Sequence, residues 1–256
     1  MSFSADWLAL REGADARARD AGLIARLAAW TADRAPRVLD LGSGTGASYR
    51  ALAPRIGGRW VLSDIDGDLL AVAGQHAGEV NFLGTRQVDL ARDLEGLMAE
   101  VAPDLVTGSA LLDLCSTDWL DRLAAALPEE AALYMALSYD GQESWTPEPP
   151  HEARALAAFH AHQEGDKSFG TALGPAAPKH LAGALRARGH DVTLTQSPWR
   201  LGPEDRALIE ALADGAAGAV AETGQLTSEE IADWRAARRR ADAVRIGHVD
   251  LLALPA

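Results

Sequence analysis

The sequence predicts an α/β domain with a doubly wound, mostly parallel sheet that is covered by helices on both faces. Short apolar segments alternate with helix-length segments between residues 36 and 140, and this alternation is typical of parallel strands joined by crossover helices. The first apolar segment ends in three alternating glycines, which indicates a strand that turns sharply into a helix. The chain has 256 residues and 48% hydrophobic content, which is enough to bury a large core in a single unit.

The apolar segments predict the order of the elements along the chain. Strands are expected at residues 37–41, 60–64, 80–83 or 85–89, 103–107, 131–139, 191–196 and 245–254. Periodicity does not decide between the two positions of the third strand. Helices are expected at residues 7–30, 49–52, 68–76, 118–127, 152–162 and 178–188, and two alanine-rich helices within 203–243.

The charge balance argues against a nucleic-acid partner. The chain has a formal net charge of −13 and only two lysines, whereas nucleic-acid binding depends on many Lys and Arg contacts with phosphates. The arginine run at residues 238–240 lies in a helical pattern beside several acids, and we interpret it as a solvated helix face. No apolar run approaches the roughly 20 residues that cross a bilayer, and residues 1–6 show no secretory pattern. With a single cysteine, Cys115, these features favour a cytoplasmic protein without a membrane partner.

The strongest functional signal is the segment 38–46, with the sequence VLDLGSGTG. Three glycines after a buried strand let the backbone approach a ligand without a Cβ in the way. The helix that follows offers free N–H groups and the positive end of its dipole, which suit a carboxylate or a phosphate. The sequence therefore predicts a nucleotide-like ligand at the carboxyl ends of the parallel strands.

Two classes of nucleotide-like ligand fit this segment. Residues 42–47 satisfy G-x-G-x-x-A, a form of the dinucleotide fingerprint, so a nicotinamide enzyme is an alternative. Both classes need an acid about 20 residues further on for ribose hydroxyls, and Asp64 takes that position. Asp40 suits the ammonium of an amino-acid group, which NAD lacks, and Asp89 is placed to accept from an adenine amino group. The Tyr-x-x-x-Lys motif of short-chain dehydrogenases is absent.

These residues resemble the motifs of the class I S-adenosylmethionine-dependent methyltransferases. Residues 40–46 are similar to the first motif of that superfamily, 60–64 to the second, 88–90 to the third, and 103–112 to the fourth strand and the loop after it. The resemblance covers about residues 36–140. It implies a Rossmann-like, seven-stranded sheet whose last strand is antiparallel, a place that the strand from residue 245 fits.

The resemblance also implies a set of cofactor-binding residues. The glycine segment would surround the methionine part of S-adenosylmethionine, Asp64 would bind the ribose, Ile65 would lie against adenine, and Asp89 would contact the adenine amine. The full set expected at the cofactor comprises Asp40, Gly42, Ser43, Gly44, Thr45, Gly46, Asp64, Ile65, Asp89, Leu90 and Ser109.

The residues that act on the methyl acceptor are less constrained by sequence. The Asn/Asp-Pro-Pro-Tyr signature of amino methyltransferases is absent after the fourth strand, and Cys115 lacks the preceding proline of cytosine-carbon methyltransferases. His160 and His162 are the candidate general bases, although two exposed histidines at a helix end are the alternative. The candidate substrate-binding side chains are Tyr139, Trp145, Lys167, Trp199 and Arg200.

We therefore expect one domain with three parts. Residues 1–35 form a helical lid, residues 36–140 the cofactor-binding half, and residues 141–256 a substrate-side half with insertions at about 141–177 and 203–243. The expected activity is methyl transfer from S-adenosylmethionine to a small molecule, with an anionic or aromatic acceptor as a hypothesis, no metal, and a monomer or homodimer as the state. The alternatives are an NAD(P)-dependent oxidoreductase, an enzyme that transfers another group from the same cofactor, and a non-catalytic cofactor-binding subunit.

Overall fold

A single eight-stranded sheet organises the chain. The computed structural model describes residues 3–76, 81–163, 165 and 169–256. The strands are β1 (Arg37–Leu41), β2 (Arg59–Asp64), β3 (Phe82–Gln87), β4 (Leu105–Ser109), β5 (Ala132–Thr146), β6 (Asp191–Gln196), β7 (Trp199–Leu201) and β8 (Ala243–Leu254). Their spatial order is β3-β2-β1-β4-β5-β8-β6, and β7 pairs with β8 beside this series.

The pairing confirms the predicted fold class. Strands β1 to β5 pair in parallel, and β8 is antiparallel to β5, β6 and β7. The strand order reverses between β1 and β4, so the carboxyl ends of these two strands border the crevice where α/β sheets bind ligands. The short strand β7 is an addition to the seven strands that the sequence predicts.

Helices cover both faces of the sheet. They are α1 (Ala5–Ala18), α2 (Ala21–Thr31), α3 (Ala47–Ile56), α4 (Gly67–His76), α5 (Leu94–Val101), α6 (Thr117–Ala126), α7 (Glu152–Gln163), α8 (Ala177–Ala187), α9 (Arg206–Thr223) and α10 (Ser228–Arg239). Side chains alternate along β1, so that Val38 packs in the core with α2, α3 and α4, whereas Leu39 packs in the core with α5, α6 and α8. Burial on both sides explains the continuous apolar runs of the central strands.

Several element boundaries differ from the prediction. The expected helix at residues 7–30 is two helices, because Asp20 accepts a hydrogen bond from the N–H of Leu23 at 2.7 Å and caps a new helix there. Strand β3 overlaps both of its predicted positions, 80–83 and 85–89. Strand β5 continues to Thr146, well into the predicted insertion, because its outer half pairs with the start of β8, as in Trp145 opposite Val244.

The interpretation of the arginine run as a solvated helix face is wrong for Arg238. Its side chain is only 1% exposed and forms ion pairs with Glu143 and Glu152. Its guanidinium carbon lies 4.2 Å from the ring centroids of both Trp145 and Trp234. This cluster fastens α10 to α7 and to the outer half of β5. In the described part of the chain, no helix is long and apolar enough to cross a membrane.

Candidate functional site

The glycine segment forms the tight turn that its sequence predicts. Gly42, Gly44 and Gly46 all have positive φ angles, of 62°, 53° and 85°. Residues other than glycine rarely adopt this conformation, because a Cβ then crowds the carbonyl oxygen. A Cβ on Gly44 would also lie 2.8 Å from Cδ1 of Leu8, so the turn packs closely under helix α1.

Asp64 lies directly against this turn. Its Oδ2 accepts a hydrogen bond from the N–H of Gly44 at 2.8 Å, and its Oδ1 accepts from the N–H of Asp66 at 3.0 Å. The parallel pairing of β1 and β2 brings the two segments together, since Leu41 stands opposite Ser63. Two hydrogen bonds leave further lone pairs on the carboxylate for a ligand, because a carboxylate has about four acceptor positions.

A cavity of about 200 Å³ opens at this edge of the sheet. Of the residues predicted to bind the cofactor, all but Asp40 and Gly46 line it. Ile65 lies on its wall with 56% of its surface exposed, and its predicted contact with adenine stays a prediction. Asp89 also lines the wall, where its Oδ1 accepts from the N–H of Ala91 at 3.0 Å.

Asp40 lies beneath the turn, not on the cavity wall. It is 1% exposed, its Oδ1 accepts from Oγ1 of Thr107 at 2.7 Å, and its Oδ2 has no hydrogen-bond partner in the described residues. Burial raises the pKa of this carboxyl to about 6, and the hydrogen bond from Thr107 opposes part of that rise. An orphaned buried carboxylate oxygen beside a ligand cavity indicates a missing donor.

Arg19, at the end of α1, was missed by the sequence analysis. Its guanidinium is buried, and Nη2 donates to the hydroxyls of Ser48 and Ser109, at 3.3 and 3.2 Å. Both serines line the cavity, whereas Arg19 lies behind them; its Nε and Nη1 have no hydrogen-bond partner in the described residues. The positive charge of Arg19 lowers the pKa of Asp40, so the two groups lie within electrostatic reach. No sequence pattern links a helix-end arginine to a strand that begins 18 residues later.

Helix α1 is linked to the glycine turn through the side chain of Arg50. Glu12 accepts hydrogen bonds from Nε and Nη2 of Arg50, both at 2.7 Å, and Nη1 of Arg50 donates to the carbonyl of Thr45 at 2.6 Å. The hydrogen bond from Arg50 is the main reason that the pKa of Glu12 is lowered. Helix α1 is thus tied to the glycine turn by charge as well as by the contact of Leu8.

Solved structures with this architecture come from several bacteria. The fold is similar to a cyclopropane-fatty-acyl-phospholipid synthase-like protein from Lactobacillus casei, at 15% identity and a TM-score of 0.57, over 99% of this chain and 95% of that one. A methyltransferase structure from Bacillus halodurans matches at 16% identity and a TM-score of 0.53, over 91% of this chain and 98% of that one. An S-adenosylmethionine-dependent methyltransferase from Thiobacillus denitrificans, solved with S-adenosylhomocysteine, matches at 16% identity and a TM-score of 0.51, over 99% and 100% of the two chains.

The chain has the class I methyltransferase fold. This confirms the resemblance that the sequence motifs carry, at the level of the fold. No protein-family model and no curated protein sequence matches the chain. At this level of identity, the solved structures show the fold alone.

The two histidines predicted as general bases do not line the cavity. Nε2 of His160 is 3.0 Å from the hydroxyl of Tyr139, and Nε2 of His162 is 3.0 Å from Oε2 of Glu222. None of these side chains is among the described residues that line the cavity. Burial is the main reason that the pKa of Tyr139 is raised, so this phenol stays protonated. Both histidines are half-buried rather than exposed as the alternative had it, and their role as general bases stays a prediction.

The other side chains predicted to bind the substrate lie off the cavity wall or outside the described residues. Trp145 and Trp199 are buried in the core between β5, β7 and β8, and Arg200 is exposed on β7. Lys167 lies outside the described residues. Trp199 nevertheless reaches the site indirectly, because its Nε1 donates to Oδ1 of Asp15, a cavity-lining residue, at 3.0 Å.

Two buried titratable groups adjoin the cavity without lining it. Asp113, between the cavity-lining Leu111 and Leu114, has a pKa raised to about 6 by burial, and its Oδ1 is orphaned among the described residues. Burial lowers the pKa of His248 to about 3, helped by the charge of Arg11, so its imidazole is neutral at physiological pH. Arg11 is the cation that these two groups share.

Proposed function

We propose that this chain is an S-adenosylmethionine-dependent methyltransferase that acts on a small molecule. The observation that carries the proposal is the 2.8 Å hydrogen bond from the N–H of Gly44 to Asp64. It places the acid expected at the ribose hydroxyls directly beside the glycine turn expected at the amino-acid part. One ligand can therefore contact both, at the crevice where the strand order reverses.

The orphaned polar atoms fit the amino-acid part of that cofactor. Asp40 offers an unsatisfied carboxylate oxygen to an α-ammonium, and Arg19 offers two unsatisfied guanidinium nitrogens to an α-carboxylate. Such a pair of opposite charges suits a zwitterion, and buried polar groups are generally satisfied in folded proteins. A nicotinamide dinucleotide carries no amino-acid group, so this pair favours S-adenosylmethionine over the oxidoreductase alternative.

The residues of the chain act mainly by holding and aligning. S-adenosylmethionine supplies a methyl group on a sulfonium, which is transferred by in-line displacement. Asp64 would fix the ribose, and the glycine turn, Arg19 and Asp40 would fix the amino-acid end. Leu8 and Phe169 line the cavity and exclude water, which favours transfer to the acceptor over side reactions. In the described residues no histidine lines the cavity, so we propose that alignment contributes more than base catalysis.

The acceptor that we propose is a small metabolite. A cavity of about 200 Å³ bordered by helix α1 suits a small molecule better than a polymer. The net charge of −13 opposes association with a nucleic-acid backbone. We also propose a cytoplasmic location, because the single cysteine needs no oxidising compartment.

Turnover with a metabolite extract tests this proposal. Purified protein is incubated with S-adenosylmethionine and fractions of a bacterial extract, and the S-adenosylhomocysteine formed is measured. We expect at least one fraction to support turnover by wild type, and turnover to fall at least about tenfold in Asp64→Asn, because hydrogen bonds to a charged group contribute about 1.5–3 kcal/mol. Binding of the cofactor without turnover in any fraction would instead favour the non-catalytic alternative.

A further inference from the structure

One wall of the cavity carries a fixed cation. Arg11 and Asp15 of helix α1 both line the cavity, with side chains 12% and 9% exposed. Among the described lining residues, Arg11 is the one Lys or Arg. The acidic lining residues Asp64 and Asp89 have roles in the proposed cofactor site, so among the described lining residues Arg11 and Asp15 are the charged groups left for a second ligand.

Arg11 is held rigidly from two sides. Its Nε and Nη2 donate to the two carboxylate oxygens of Asp15, at 2.9 and 3.1 Å. Its guanidinium carbon lies 4.9 Å from the ring centroid of Trp199, whose Nε1 donates to Asp15 in turn. A guanidinium that is both paired and stacked keeps its orientation, so little entropy is lost when it binds a ligand.

The arrangement leaves donors free and acceptors occupied. Asp15 accepts three hydrogen bonds, from two nitrogens of Arg11 and from Trp199. Nη1 of Arg11 makes no hydrogen bond within the described part of the chain. The wall thus presents N–H groups to a ligand and few lone pairs, which favours a ligand oxygen over a ligand ammonium.

The cavity that Arg11 lines also has apolar residues on its walls. Leu111 and Leu114 come from the loop after β4, and Phe169 precedes α8. Phe169 stacks edge-on against Trp119, with ring centroids 5.2 Å apart, so its ring is fixed as well. A cavity with apolar walls and a few fixed polar groups is the usual form of a small-molecule site, in which the polar groups set orientation.

We infer that the methyl acceptor carries a carboxylate that binds Arg11, with its apolar body against Leu111, Leu114 and Phe169. This inference rests on the proposed methyltransferase function and names the acceptor class for the same site. Arg11 is a cation that the sequence did not indicate for the substrate; of the two that it did, Arg200 is exposed on β7 and Lys167 lies outside the described residues. Asp15 orients Arg11 and does not itself bind the carboxylate.

Two probes of equal shape and opposite charge test the inference. Protein saturated with S-adenosylhomocysteine is titrated in a calorimeter with benzoate and, separately, with benzylamine. We expect benzoate to bind wild type more tightly than benzylamine. Arg11→Gln is expected to weaken the binding of benzoate at least about tenfold, because a charge-assisted hydrogen bond is lost. It is expected not to weaken the binding of benzylamine, because the cation that repels the ammonium is removed and Asp15 loses its partner.

The same helix supplies a matched control. Arg17 is 54% exposed on its side chain and pairs with Asp205, so Arg17→Gln makes the same chemical change away from the cavity wall. We expect this variant to bind benzoate as wild type does. The affinity of both variants for S-adenosylhomocysteine shows whether they are folded, and Arg11→Lys, which keeps the charge without the planar fork, is expected to bind benzoate with intermediate affinity.

The outcomes separate the inference from the function on which it rests. If wild type binds S-adenosylhomocysteine but prefers benzylamine, ignores both probes, or binds benzoate equally well after Arg11→Gln, the carboxylate assignment is overturned and the methyltransferase proposal stands. If wild type does not bind S-adenosylhomocysteine, both fall together.

Discussion

Replacing Arg238 by methionine tests how the C-terminal helices are attached to the sheet. Methionine keeps most of the length of the side chain and removes its charge, so Glu143 and Glu152 are left without their cation at 6% and 13% side-chain exposure. Removing one partner of a buried ion pair costs about 3–5 kcal/mol. The cation–π contacts with Trp145 and Trp234 are lost as well. Because all these contacts belong to one cluster, their separate energies cannot simply be added.

Urea unfolding followed by tryptophan fluorescence measures this effect. We expect Arg238→Met to lower the free energy of unfolding by about 4 kcal/mol. Arg235→Met on the same helix is the control, because Arg235 makes an exposed ion pair with Asp214, and such pairs contribute little. Adding Glu143→Gln and Glu152→Gln to Arg238→Met is expected to recover part of the loss, since the stranded charges are removed. A cost below about 1 kcal/mol, or further destabilisation by the two glutamines, would refute the reasoning.

Three further predictions concern the cofactor site. Arg19→Gln is expected to weaken the binding of S-adenosylhomocysteine at least about tenfold. It is expected to leave the binding of 5′-methylthioadenosine, which lacks the amino-acid group, unchanged. Equal losses of affinity for both ligands in calorimetry would show that Arg19 does not bind the amino-acid group. Because the pKa of Asp40 is raised to about 6, its carboxyl is ionised above that pH and neutral below it. The affinity for S-adenosylhomocysteine is therefore expected to fall as the pH is lowered from about 7 to about 5. If the same fall in affinity persists in Asp40→Asn, the titration of Asp40 is not its cause. Gly44→Ala is expected to lower the free energy of thermal unfolding by about 1–2 kcal/mol, because alanine is strained at a φ of 53°. Adding Leu8→Ala is expected not to restore the lost stability. Full restoration would show that the strain comes from the contact with the Leu8 side chain instead.

The cofactor half of the fold follows closely from sequence because its signals are local. The apolar run of β1, the glycine turn and Asp64 lie within 27 residues of one another, and parallel pairing of consecutive strands is enough to bring them together. Asp40 shows the limit of this reasoning. Its spacing from Gly42 gives its place beneath the turn, but only the fold reveals the orphaned oxygen.

The substrate side depends on contacts between distant segments, which no pattern in a single sequence records. Arg238 pairs with Glu152, which is 86 residues away, and Trp199 bonds to Asp15, which is 184 residues away. Residues 238–240 have the composition of an exposed helix face, yet Arg238 is buried by its contacts with these distant segments. Arg11 and Arg19 were likewise hidden in a helix whose periodicity predicts packing and says nothing about a ligand.

Calorimetric titration of the wild-type protein with S-adenosylhomocysteine and with NAD tests the central claim most directly. The glycine turn, Asp64 and the charge pair of Arg19 and Asp40 predict saturable one-to-one binding of S-adenosylhomocysteine at micromolar concentration and no binding of NAD. Binding of NAD alone, or of neither ligand at millimolar concentration, would contradict the assignment of this site.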